Sequence, residues 1–259
     1  MTRTHVALTR DVSSSLAHCE LTHRPRETID VDRARTQHRA YEDVLRSVGC
    51  DVRRLPPRHE MPDAVFVEDA AVVFDELAIV TRPGAPSRRD EVASVAETLA
   101  YYRALRTMEP PGTLDGGDVL VIGRSVFVGR STRTNEEGVR QLAHALAPHG
   151  YAVRWVTVTS CLHLKSAVTR VAPETVLLNG DWVEAQAFAA FDRIEVDGDE
   201  PWGANALEIG GAVVTAAAFP RTRDRLLRRG LDVREVDVTE LAKAEGGVTC
   251  CSLVFGAGP

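Results

Sequence analysis

The sequence predicts an α/β fold made from a strand–strand–helix–strand unit repeated along the chain, and three observations carry that prediction. A spaced pattern of leucine, three residues, glycine, two residues and valine-arginine occurs three times, at Leu45/Gly49/Val52-Arg53, Leu146/Gly150/Val153-Arg154 and Leu226/Gly230/Val233-Arg234. Two-stranded hairpins recur, each followed by an amphipathic helical stretch. A short polar step stands before each hairpin, and the intervals from Glu68 to Asp115, His163, Asn205 and Cys250 are 47, 48, 42 and 45 residues.

The elements follow in order. His5–Thr9 reads as a strand and Val31–Val48 as a helix. Gly49 suits the left-handed position after a helix end, as do Gly150 and Gly230 in the other two copies of the pattern. The stretch Asp11–Glu27 is polar, contains Ser13–Ser15 and holds no sustained period, so it is expected to be a long loop acting as a lid. Ala70–Phe74 and Leu77–Thr81 form a hairpin turned at Asp75-Glu76, and Val119–Ile122 and Val126–Gly129 form a second one turned at Gly123–Ser125. The helix expected over Asn135–Leu146 puts Val139, Leu142 and Leu146 on one face. Further hairpins are expected at Ser166–Arg170 with Thr175–Leu178, and at Ala206–Ile209 with Ala212–Ala216. A last strand, Ser252–Phe255, has no helix after it, whereas the N-terminal strand and helix have no hairpin before them. The two ends are therefore expected to complete one unit. Pro/Gly clusters at Leu55–Pro62, Pro83–Pro86 and Glu109–Gly112 punctuate units without opening a linker, so residues 1–259 read as a single domain.

Composition removes several function classes. A formal net charge of -6, from 31 basic and 37 acidic side chains, offers no footprint for a phosphate backbone or an anionic membrane, so neither nucleic acid nor a membrane is an expected partner. The longest apolar stretches, such as Ala212–Phe219, fall far short of the ~20 residues that cross a bilayer, and no leader is evident. The 5 cysteines form no repeating framework, which fits reduced thiols in a cytoplasm. Lys165 and Lys243 are the only lysines, a bias read as composition rather than as a binding feature.

If the units surround a common axis, the five polar steps converge at its centre and bring carboxylates, an imidazole and a thiol into one pocket. That is the minimum set for nucleophilic catalysis: a thiolate attacks, a histidine moves protons and an acid orients the histidine. Taken singly, each residue has a plainer explanation, since buried cysteine and histidine are common core residues and Asp115-Gly116-Gly117-Asp118 alone reads as a turn. The regular spacing of unlike reactive types is what favours a site. Cys161 and His163 could ligate a metal, but no second pair at useful spacing joins them.

The strings Asp63–Asp69 (DAVFVED), Thr81–Arg89 (TRPGAPSRR), Leu114–Val119 (LDGGDV), Ser131–Asn135 (STRTN), Leu162–Ser166 (LHLKS) and Thr249–Ser252 (TCCS), together with the Glu20–His23 loop, resemble those of the dimethylarginine dimethylaminohydrolase family. The family belongs to the guanidine-modifying pentein superfamily, so the resemblance implies a fivefold pseudo-symmetric α/β-propeller of ββαβ units, in agreement with the repeat. It implies Cys250 as nucleophile, His163 as general acid/base and Asp115 as the acid that orients it. Spacing does not choose between Cys250 and Cys251; the motif does. By the same resemblance Glu68 and Asp69 would hold the substrate guanidinium, Phe66 would pack against it and Asp63 would help bind the amino-acid end. Arg88 and Arg133 would hold the α-carboxylate, and Leu21 with the main chain near Ala244 would close over the substrate.

The implied reaction converts Nω,Nω-dimethyl-L-arginine, or the monomethyl compound, to L-citrulline and the methylamine through a covalent S-alkylthiouronium, with no metal or organic cofactor. The alternatives are an arginine deiminase or amidinotransferase activity on free arginine, hydrolysis of another substituted arginine, and a pentein that binds a partner without turnover. A homodimer is the expected assembly, although no apolar stripe marks an interface.

Overall fold

A computed structural model describes residues 5–258, and in it each repeat becomes a three-stranded sheet, five in all. The chain runs through β1 (His5–Arg10), α1 (Val31–Ser47) and β2 (Cys50–Leu55), then β3 (Ala71–Val73), β4 (Leu77–Val80), α2 (Val92–Leu99) and β5 (Ala104–Thr107). The third unit is β6 (Val119–Ile122), β7 (Ser125–Arg130), α3 (Glu136–Leu146) and β8 (Ala152–Thr157). The fourth opens on α4 (Leu164–Ala167) and holds β9 (Val168–Ala172), β10 (Thr175–Leu178) and β11 (Asp192–Glu195). The fifth holds β12 (Ala206–Ile209), β13 (Ala212–Ala216), α5 (Pro220–Arg228) and β14 (Asp232–Val236), after which α6 (Thr239–Ala242) leads towards β15 (Leu253–Gly256).

In four of the sheets a hairpin supplies the antiparallel pair, and in all five the crossover returns a strand parallel to the middle one, as in β6–β7 and β7–β8. The first sheet has the order β15-β1-β2: Val6 pairs antiparallel with Phe255 and parallel with Asp51. The ends of the chain thus complete one unit, as the missing helix after the last strand predicts. The first strand of each hairpin and β15 line a central channel, and the crossovers lie outside.

The sequence explains most crossovers. Asn135 caps α3 by accepting the Gly138 N–H, and Val139, Leu142 and Leu146 turn inward. Asp30 caps α1 by accepting from Asp32 and Arg33, and Ala34, Tyr41 and Leu45 are buried below it. Fully burying each such leucine contributes roughly 1.5–3 kcal/mol. Gly49, Gly150 and Gly230 take φ of 92°, 75° and 78°, the left-handed region in which a β-carbon would be strained. The fourth unit departs from the expectation of a helix after every hairpin. Its crossover has only a 3-10 turn, Ala185–Phe188, and Phe188 seals the core by packing 4.7 Å from Phe127. No helix among the described residues is long and apolar enough to cross a membrane.

Candidate active site

The polar steps sit at one end of the channel, where the chain turns into the innermost strands. A 3-10 turn, Val67–Ala70, carries Glu68 and Asp69; Asp115 immediately precedes another, Gly116–Asp118; His163 precedes α4; and Cys250 lies shortly before β15. Cys250 and His163 line one pocket with Asp63, Phe66, Asp69, Arg88, Arg133 and Ala244.

His163 Nε2 lies 3.0 Å from Asp115 Oδ2, and Asp115, with no exposed surface, also accepts the Gly84 N–H at 2.8 Å. The other ring nitrogen is 3.8 Å from Asp69 Oδ1. Burial works against the imidazolium, but Asp69 and the Asp115 hydrogen bond outweigh it and lift the His163 pKa to about 9. The ring therefore holds two protons at neutral pH. Asp69 is kept well below the ordinary carboxylate range: burial would raise it, and His163, Arg88 and the Gly117 N–H overcome that. Burial, reinforced by Glu68 and Asp69, pushes the Cys250 thiol up to about 12, against an opposing Gly247 N–H and Lys165. The Gly247 N–H reaches Cys250 Sγ at 3.3 Å.

Four glycines make this crowding feasible. A β-carbon on Gly116 would stand 2.0 Å from the Glu68 carbonyl oxygen, and one on Gly117 2.6 Å from His163 Nδ1. One on Gly246 would stand 2.2 Å from the Phe66 ring, and one on Gly247 2.3 Å from Asn205 Oδ1. The Asp-Gly-Gly-Asp string is thus a floor on which an imidazole and a carboxylate rest. Its second acid, Asp118, accepts from Ser131 and Thr134 hydroxyls and from the Leu164 N–H, tying the Arg133 loop to the residue after His163.

Two residues are set differently from the expectation. Arg88 is turned inward rather than left free for a carboxylate: Nη1 bonds Asp69 Oδ2 at 2.6 Å, Nη2 bonds the Asp63 and Phe66 carbonyls and Glu91 Oε2, and Nε bonds Glu91. Glu68 faces the channel, with Oε1 2.5 Å from Lys165 Nζ and Oε2 accepting from Thr249 Oγ1 at 2.8 Å. Arg133 keeps donors in reserve, with Nη2 3.2 Å from Thr22 Oγ1 and Nη1 3.8 Å from Asp115.

The 11–27 segment is pinned by buried Val12, Ser13, Leu16 and Cys19, and its Glu20 lines the pocket. Glu20 N–H donates to Asp63, and half-buried Leu21 packs on the core. Glu245, a non-glycine residue with φ of 59°, accepts the N–H groups of Thr22, His23 and Arg24. Sequence reasoning missed this latch, together with the supporting roles of Lys165 and Thr249; nothing local announces a partner 222 residues away.

A thiol, a carboxylate-held imidazolium and a buried acid at the axis of a fivefold ring of ββαβ units define the pentein class. A family model described as N,N dimethylarginine dimethylhydrolase, eukaryotic, matches residues 14–188. An N(G),N(G)-dimethylarginine dimethylaminohydrolase of Streptomyces coelicolor is 42% identical over 249 residues, spanning 95% of this chain and 95% of that one. Its Pseudomonas aeruginosa counterpart is 38% identical over 228 residues, 87% of this chain and 90% of the relative. A structure of the Pseudomonas aeruginosa protein, a cysteine-to-serine mutant complexed with citrulline, superposes with a TM-score of 0.94 at 35% identity and covers 98% of this chain and 100% of that one. The chain belongs to the dimethylarginine dimethylaminohydrolase family.

Proposed function

We propose that the protein hydrolyses Nω,Nω-dimethyl-L-arginine, and the monomethyl compound, to L-citrulline and the corresponding methylamine. The observation that carries this reading is the pocket shared by Cys250, His163 and Asp69, with Asp115 buried behind His163, in a chain of this family.

The substrate guanidinium arrives as a delocalised cation. Asp69 meets it on the lone pairs that Arg88 and Gly117 leave free, and Phe66 bounds the plane. Arg133 takes the α-carboxylate, Asp63 the amino-acid end, and Leu21 with the main chain at Ala244 closes over it. In the resting site the thiol is protonated and the imidazole doubly protonated. The cation beside sulfur favours the thiolate, so binding releases the thiol proton and creates the nucleophile. Cys250 Sγ bonds to the guanidinium carbon, His163 passes its proton to the dimethylated nitrogen, and the C–N bond breaks to release dimethylamine. Water then adds to the S-alkylthiouronium and His163 takes one of its protons. The C–S bond breaks as the C=O forms, the remaining hydroxyl proton is lost, and citrulline and thiolate result. Asp115 holds the ring in position through both halves.

An end-point assay with dimethylarginine, monomethylarginine and arginine tests the reading, with Cys250→Ser as control. Citrulline and dimethylamine, lost in the control, are expected. Ammonia from arginine as the principal product, or no turnover, would overturn it.

A further inference from the structure

Four of the five polar steps converging on the axis enter the reaction; the fifth, Asn205, does not. It immediately precedes β12, and every polar atom of its amide is committed. Oδ1 accepts the Thr249 N–H at 3.1 Å, and Nδ2 donates to Thr249 Oγ1 at 2.9 Å and to the Lys165 carbonyl at 3.0 Å. Because Thr249 Oγ1 accepts from Asn205, its own hydrogen goes to Glu68 Oε2 at 2.8 Å, and the other Glu68 oxygen holds Lys165 Nζ at 2.5 Å. The contacts form a closed ring, Asn205 to Thr249 to Glu68 to Lys165 and back to Asn205. Cys250 hangs from it on two sides. Glu68 N–H donates to the Cys250 carbonyl at 3.2 Å, and the Gly247 N–H that reaches Cys250 Sγ belongs to a residue packed directly on the Asn205 amide.

We propose that Asn205 is a positioning residue for the nucleophile: acting through Thr249, its amide fixes both the Glu68 carboxylate beside the sulfur and the Gly247 N–H aimed at it. The inference rests on Cys250 being the attacking group. A neutral amide suits the place because it donates and accepts at once. A carboxylate of the same shape would keep the Thr249 N–H but could give nothing to Thr249 Oγ1 or the Lys165 carbonyl. The Thr249 hydrogen would then turn from Glu68 to the new acid, leaving Glu68 less restrained beside the thiol. The charged and titratable groups facing that thiol are Glu68, Asp69, His163, Lys165, Tyr41 and the Cys251 thiol, with Glu20, Asp63, Arg88, Arg133 and Glu245 around the same pocket.

The test compares wild type with Asn205→Asp, Thr249→Val, which keeps side-chain shape without the hydroxyl, and Thr249→Ser, which restores it. Steady-state kinetics are measured alongside the pH profile of Cys250 alkylation by iodoacetamide, followed by peptide mass spectrometry. Asn205→Asp and Thr249→Val are expected to lower kcat by roughly 10- to 100-fold with KM changed less than about 3-fold, and to slow Cys250 alkylation by roughly 10-fold at each pH between about 7 and 10. Thr249→Ser is expected to stay within about 3-fold of wild type. A lowered melting temperature with an unchanged alkylation profile and kcat would overturn the proposal, as would a Thr249→Ser enzyme that behaves like Thr249→Val. If Asn205→Asp does not fold, the two Thr249 variants decide. Alkylation is read without turnover, so a wild type inactive on dimethylarginine would refute the proposed function while leaving this inference to stand or fall on the alkylation rates.

Discussion

Replacing Arg88 by alanine separates a residue that holds the site together from one that holds the substrate. The guanidinium lies between Asp69 and Glu91, all three side chains being 5% exposed, with Nη1–Oδ2 at 2.6 Å and Nη2–Oε2 at 2.9 Å. Removing it leaves buried Glu91 without its counter-charge and Asp69 with His163 alone, a loss that costs about 3–5 kcal/mol. With an unfolding entropy of ~2.1 cal/mol/K per residue over this chain, that is a fall in Tm of roughly 6–10 °C. The gap has a defined pH dependence. Asp69 is depressed in the folded state, so its contribution is present above its unfolded pKa and fades as pH falls through the folded one. Wild type and variant should therefore differ fully at pH 7 and begin to converge only below about pH 4, as pH falls towards the depressed folded pKa of Asp69. Arg133→Ala is the contrast: its partners are a hydroxyl at 3.2 Å and an acid at 3.8 Å, so Tm should move less than about 2 °C while KM rises ten-fold or more. Calorimetry at pH 7 and stepwise below pH 4, with steady-state kinetics on dimethylarginine, checks both. An Arg88→Ala protein with wild-type Tm and only a raised KM would refute the clamp.

Three further outcomes follow from the geometry. His163 should titrate near pH 9 by imidazole NMR, and Asp115→Asn should move the midpoint down. Because the folded pKa is raised, the stability it contributes is complete below about pH 6.5 and is lost as pH rises through 9. Glu245→Ala removes the acceptor of three backbone N–H groups, so amide exchange at residues 22–24 should quicken by roughly 10- to 100-fold while the core amides stay protected. Gly246→Ala puts a methyl group into the Phe66 ring, which should cost about 1–3 kcal/mol by chemical denaturation and raise KM several-fold; an unchanged KM would mean that Phe66 does not bound the guanidinium.

The architecture was legible because its signals are local and repeated. A left-handed glycine after a helix end imposes the same restriction at Gly49, Gly150 and Gly230, and the unpartnered last strand points to its own partner. Where the fold departs, in the fourth crossover, Trp182 and Phe188 bury apolar surface from irregular chain, and no period marks that. The site was legible as a set of positions but not as a set of orientations. Gly116, Gly117, Gly246 and Gly247 take no positive φ, and what requires them is the approach of groups distant in sequence. For the same reason the Glu68–Lys165 pair and the Glu245 latch have no local signature: each joins segments far apart in the chain.

The pairing of β15 with β1 also sets the order in which reactivity can arise. Leu8 and Leu253 are register partners some 245 residues apart, so closing that sheet costs about 5 kcal/mol of chain entropy, whereas a hairpin such as β6–β7 closes over a few residues. Cys250 lies just upstream of β15, among the last of the described residues to leave a ribosome. A nascent chain can form its middle sheets and carry His163, Asp115 and Asp69 while the nucleophile is still unmade. The thiol reaches its position only when the ring shuts, so the rate at which Cys250 gains its Gly247 and Glu68 contacts during refolding is a clock for the final, long-range step of assembly.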